Sequence, residues 1–142
     1  MKRRLIGIVV VAAAVELTYG LFPSHLQALP PAPPEWKLLD QAAYRPVPPE
    51  IQVWRGTSYA RAAWRARYTG PARITLTLYE MPAWPARAFD ALQKWSAVPG
   101  KLAFMKSRYF GVVESPDADR PAIERFIEGV TAGLPNGDLE VR

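Results

Sequence analysis

Two neighbouring segments of this chain alternate apolar and polar residues with period two, and a Gly-Pro turn joins them. In Ala60 to Tyr68, Ala62, Trp64, Ala66 and Tyr68 fall on one side, and Arg61, Arg65 and Arg67 fall on the other. In Arg73 to Met81, Ile74, Leu76 and Leu78 point inward while Arg73, Thr75, Thr77 and Tyr79 point outward. Successive side chains leave a strand on opposite faces, so this alternation is the mark of half-buried strands. Thr69-Gly70-Pro71 supplies the turn chemistry. The pair reads as an antiparallel hairpin, and a hairpin is incompatible with a doubly wound parallel sheet, whose strands need crossover connections.

The remaining segments extend this plan. Ala88, Phe89, Leu92 and Trp95 share a face at helical spacing, with Pro85 at the first helical position and Pro99-Gly100 as the stop. Lys101 to Lys106 and Tyr109 to Glu114 read as a second hairpin. Ile123, Phe126, Ile127, Val130 and Leu134 mark a final amphipathic helix opened by Pro121, with Asp117 and Asp119 as its N-terminal caps. The order β-β-α-β-β-α predicts an α+β two-layer sandwich. In it, an antiparallel sheet of four or five strands carries both helices on one face, and an N-terminal apolar helix precedes it.

The front of the chain speaks to location. Met1-Lys2-Arg3-Arg4 is a basic head, and Leu5 to Val15 is an unbroken apolar run. This is the layout of an export signal or a short membrane anchor. If the helix continues to Phe22, residues 5–22 give 18 residues, about 27 Å of helix and just enough to span. The expected organisation is a signal peptide or anchor over 1–22, a Pro-rich spacer over 23–50, an α+β domain over 51–135 and a tail over 136–142. Pro30-Pro31-Ala32-Pro33-Pro34 should be extended and stiff. Glu35 to Tyr44 is read as a short helix, and Ile51 to Trp54 as a short strand. The domain should be anchored in the inner membrane facing the periplasm or exterior, or secreted after cleavage.

The formal net charge is +5. Without Lys2, Arg3, Arg4 and Glu16, 18 − 3 = 15 basic and 13 − 1 = 12 acidic residues remain, a net of +3. The distribution matters more than the sum. Ile51 to Tyr79 holds five arginines and no acid, whereas Glu114 to Arg142 holds seven acids against three arginines. Such asymmetry can steer an anionic partner. Arg61, Arg65, Arg67, Arg73 and Tyr79 share one predicted open sheet face and form the candidate binding surface. An arginine-rich, lysine-poor chain with many alanines and prolines also fits a GC-rich genome, which inflates arginine without functional demand.

Catalytic signals are few. The single histidine, His25, lies in the Pro-rich region, and there is no cysteine. A Ser-His-Asp or Cys-His arrangement within the domain and a conventional zinc site are both ruled out. No phosphate-binding glycine loop and no nucleophile elbow occur. Glu80 alternates with Ile74, Leu76 and Leu78, which places a carboxylate on the inward face near a strand end. Buried there, it would need an arginine partner; a hydrolase would need a second acid opposite it. The basic and aromatic face superficially suits RNA, but no paired stacking aromatics accompany it and the leader points to export.

The pattern Ile74-Thr75-Leu76-Thr77-Leu78-Tyr79, followed by Ala88-Phe89 and Tyr109-Phe110, resembles exported bacterial domains of unknown function. The resemblance covers half of the chain. It implies the strand-helix-strand order and no activity. The expected function is a non-catalytic, exported or membrane-tethered accessory domain without cofactor or metal. It would engage the membrane through residues 5–22 and bind an anionic lipid, a polysaccharide or an acidic protein surface, not nucleic acid. The alternatives are a carboxylate hydrolase built on Glu80 and a structural subunit of a membrane complex.

Overall fold

The computed structural model describes residues 26–83 and 86–142. The apolar run and its expected helix lie outside the described residues, as do Trp84 and Pro85. Among the described residues no helix is long and apolar enough to cross a membrane. The elements are β1 (Lys37–Tyr44), β2 (Ala62–Thr69), β3 (Ile74–Glu80), α1 (Arg87–Gln93), β4 (Lys101–Lys106), β5 (Tyr109–Glu114), α2 (Arg120–Thr131) and β6 (Glu140–Val141). Short 3-10 turns occupy Pro49–Ile51 and Thr57–Tyr59. The strands form one open antiparallel sheet in the order β1-β2-β3-β5-β4-β6.

Both expected hairpins are present. β2 and β3 pair with Trp64 opposite Leu78 and Ala66 opposite Leu76, so the apolar sets of the two strands share one face. β4 and β5 pair with Phe104 opposite Gly111. Asp119 caps α2: its carboxylate accepts from the Ala122 amide at 2.9 Å. That satisfies one of the amide donors a helix start leaves open.

The helices do not share a face. α2 packs Ile123, Phe126, Ile127 and Val130 against Trp64, Tyr68, Leu76, Leu78 and Phe104. α1 packs Ala88, Ala91 and Leu92 on the other side, against Ala63, Tyr79, Ala103, Phe110 and Val112. The expected two-layer sandwich is therefore corrected to a sheet with one helix on each face. The physical reason lies in β3 and β5. Val112 and Val113 are both fully buried, as are Leu78 and Tyr79, and strands apolar on both sides need cover on both sides.

The sheet is also longer than expected. Residues 37–44, read as part of a helix, form the edge strand β1, and residues 140–141 of the expected tail add β6 beside β4. Residues 51–54 are not a strand; the chain makes a 3-10 turn at Pro49–Ile51. Nor is the Pro-rich stretch a free spacer. Trp36 is buried, stacks edge-on against Phe126 with ring centroids 5.4 Å apart, and donates its indole N–H to the Ala72 carbonyl. Leu26, Leu29 and Ala32 pack on the same core. The ordered fold thus begins well before Ile51.

Candidate functional site

The register places the arginines as the alternation requires. Arg65 lies opposite Thr77 and Arg67 opposite Thr75, while the neighbouring positions Trp64, Ala66 and Tyr68 enter the α2-side core. Arg65 and Arg67 therefore belong to the α1 side of the sheet, while Arg61 and Arg73 lie just outside the ends of β2 and β3. This side is not bare. Val47 and Ile51, from the connection between β1 and β2, pack on it beside Ala63 and Tyr79. Tyr79 is consequently fully buried and drops out of the candidate surface. Its hydroxyl donates to the Ile51 carbonyl at 2.5 Å. Burial pushes this phenol far above its ordinary range. Tyr79 anchors a loop; strand alternation fixed its face but could not show what covers that face.

Two of the four arginines are already matched by acids. Arg67 Nε donates to the Asp40 carboxylate at 3.1 and 3.0 Å, and its Nη2 also donates to that carboxylate. The pair holds Asp40 below the usual carboxylate range and raises Arg67, chiefly through these hydrogen bonds. Arg73 donates to Asp117 from its amide at 3.1 Å and from Nε at 3.2 Å. Partial desolvation acts to raise Asp117, but the Arg73 amide, its guanidinium and the Ser115 hydroxyl outweigh it and leave the carboxyl lowered. Arg61 is partly buried and its amide donates to the Glu80 carbonyl at 2.8 Å. Arg65 is exposed and makes no ion pair among the described residues. The absence of acids between Ile51 and Tyr79 did not leave the face uncompensated, because β1 and the turn before α2 deliver Asp40 and Asp117.

Glu80 ends β3 on the α2 side, flanked in the sheet by Ala62 and Tyr109. It is fully buried, and Arg45 Nη2 reaches its Oε1 at 3.3 Å from a side chain that is itself 56% exposed. An open cavity of about 630 Å³ lies alongside, lined by Leu26, Tyr44, Arg45, Ala62 and Trp64 among others. Burial first, and then the Glu80 charge, push the Tyr109 phenol far up, against the opposing effects of a backbone hydrogen bond at Leu26 and the charges of Arg108 and Arg45. The inward reading of Glu80 and its need for an arginine are both met. Glu80 is ion-paired to a guanidinium, whereas two-carboxylate hydrolysis requires a second acid across the scissile bond.

No protein-family model matches the chain, and no curated protein or solved structure matches it either. Sequence reasoning missed Arg45, Asp40 and Asp117 as members of these clusters. Each sits in a different segment from its partner, 35, 27 and 44 residues away, and local periodicity carries no information at that distance. Trp54 and Trp95, both half-buried against the α1-side core, form an aromatic pair with ring centroids 5.3 Å apart at 70°.

Proposed function

We propose that this chain is an exported or membrane-tethered accessory domain that binds an anionic partner and carries out no catalysis of its own. The basic head and apolar run support delivery across the membrane. The observation that carries the binding reading is Arg65. It stands exposed and without an ion pair among the described residues, next to Arg67 on the same strand. The pairs beside it are held by exposed side chains: Arg67 and Asp40 are 62% and 52% exposed, Arg73 and Asp117 70% and 44%. Exposed pairs contribute little stability and exchange readily with solvent or with another anion. An incoming anion therefore meets one uncompensated guanidinium and one whose carboxylate partner it can replace.

Binding of the purified chain to polygalacturonate and to phosphatidylglycerol vesicles, followed against salt, tests this. Association should weaken steeply as salt rises, because exposed charges are screened within about 8 Å at physiological ionic strength. The double variant Arg65→Glu and Arg67→Glu should lose most binding with little change in melting temperature. Undiminished or salt-insensitive binding by that variant would falsify the reading.

A further inference from the structure

A groove of about 200 Å³ lies between α1 and the loop ahead of the Thr57–Tyr59 turn, lined by Val53, Trp54, Arg55, Lys94, Trp95 and Val98 among others. Its walls are held in place. Gly56 adopts φ +88°, a left-handed conformation, and packs so closely on α1 that an added Cβ would lie 3.2 Å from Ala91 Cα. The Trp54 carbonyl accepts from both the Thr57 amide at 3.1 Å and the Thr57 hydroxyl at 2.6 Å. The buried Tyr79 hydroxyl fastens the start of this loop through the Ile51 carbonyl. The loop is thus tied to the sheet, to itself and to α1.

What this rigid frame presents is unusual for an exposed surface. Val53 and Val98 are 58% and 41% exposed at the groove. The two indoles meet edge to face between them. Cations surround the rings. Lys101 Nζ lies 4.9 Å from the Trp54 centroid. Lys94 is shared with Asp90 at 2.9 Å and Lys101 with Glu114 at 3.6 Å, while Arg55 is exposed and makes no ion pair among the described residues. Three cations against two acids leave the rim positive.

We infer that this groove is a binding site for one carboxylated sugar unit of an acidic polysaccharide. A sugar ring has a face of C–H bonds with slight positive charge, and such a face lies favourably against the negative face of an indole. Its carboxylate calls for a forked donor, which the Arg55 guanidinium supplies. The volume is below the roughly 300–1,000 Å³ typical of whole small-molecule sites, so it suits one unit of a polymer rather than a complete ligand. A lipid surface would be met by protruding aromatic rings; here both indoles are half-buried and set into a groove with the cations at its edge. The inference rests on the extracytoplasmic, anion-binding reading above but uses none of its arginines.

The test measures tryptophan fluorescence of the full chain during titration with oligogalacturonate, its uncharged methyl ester and phosphatidylglycerol vesicles. Oligogalacturonate should bind and shift the emission, and the methyl ester should bind about tenfold more weakly or not at all. Arg55→Ser combined with Lys94→Ser should reduce oligogalacturonate binding by a similar factor, and both positions are surface ones, so the fold should persist. Trp54→Phe, which keeps an aromatic ring, should reduce binding less than Trp54→Ala. If the Arg65→Glu variant loses binding while the Arg55/Lys94 variant retains it, the groove is not the site but the sheet-face reading stands. If only vesicles bind, the sugar assignment is overturned. If no probe binds, both readings are overturned.

Discussion

Gly129 in α2 and Pro33 in the segment before β1 are in such close contact that a Cβ added to the glycine would lie 2.2 Å from the proline Cγ. One turn later, Gly133 stands in the same relation to Pro30, at 2.6 Å. The two glycines, four residues apart, clear a path over which the Pro-rich segment lies. This contact explains why residues 26–36 belong to the fold rather than to a spacer.

Replacing Gly129 with alanine should therefore destabilise the protein, against the helix-propensity expectation. Alanine is favoured over glycine within a helix by about 1 kcal/mol. Overpacking costs typically about 1–3 kcal/mol, and a 2.2 Å approach lies well inside any real contact. The expected outcome is a lower melting temperature together with faster proteolysis between residues 26 and 36. A melting temperature above that of the unaltered chain would show that the segment does not rest on α2.

Phe126 joins the two ends of the same core. It is fully buried, and its ring meets Trp36 at 5.4 Å and Tyr68 at 4.9 Å, both edge to face. Phe126→Ala should cost about 3–5 kcal/mol by lost transfer energy and cavity formation. Denaturant unfolding checks the size. Near-ultraviolet circular dichroism should lose part of the signal that Trp36 owes to its packing.

Stability should fall on the alkaline side. Tyr79, Tyr109 and Tyr68 all have phenols raised by burial from an ordinary value of 10.0. A folded-state value above the unfolded one means that the stabilisation is complete below about pH 10 and is lost as pH rises beyond it, because the unfolded chain releases its protons first. Melting temperature followed with tyrosinate absorbance should show unfolding accompany ionisation. Tyr79→Phe, which cannot ionise, should flatten that decline while lowering stability at neutral pH through loss of the bond to Ile51. Free titration of every tyrosine at its ordinary value in the folded chain would contradict the burial seen.

The acid limb has its own signature. Asp40 and Asp117 are lowered from 3.8, so the contribution of their pairs is present above that value and is lost as pH falls through the folded-state values. Asp40→Asn with Asp117→Asn should make the acid decline shallower and should raise salt-sensitive binding of polyanions at neutral pH, since Arg67 and Arg73 are then released. An unchanged acid profile would show that these exposed pairs are fully screened.

What the chain alone determined was local. The alternation of β2 and β3, the second hairpin, the amphipathic spacing of α2 and the cap at Asp119 each depend on residues within a few positions of one another, and each is legible in order. Even the face of Glu80 followed from period two. What only the tertiary structure decided was what lies over each face. Residues 37–44 became a strand because β2 offered an unpaired edge with which to satisfy their backbone groups. α1 and α2 separated because β3 and β5 are apolar on both sides, so one layer of helices could not cover them. The charge pattern suffered most. An acid-free run of arginines looked uncompensated until the sheet brought Asp40, and the turn before α2 brought Asp117, from segments 27 and 44 residues away. Electrostatic pairing depends on distance in space, and that distance is set by the packing of the whole sheet.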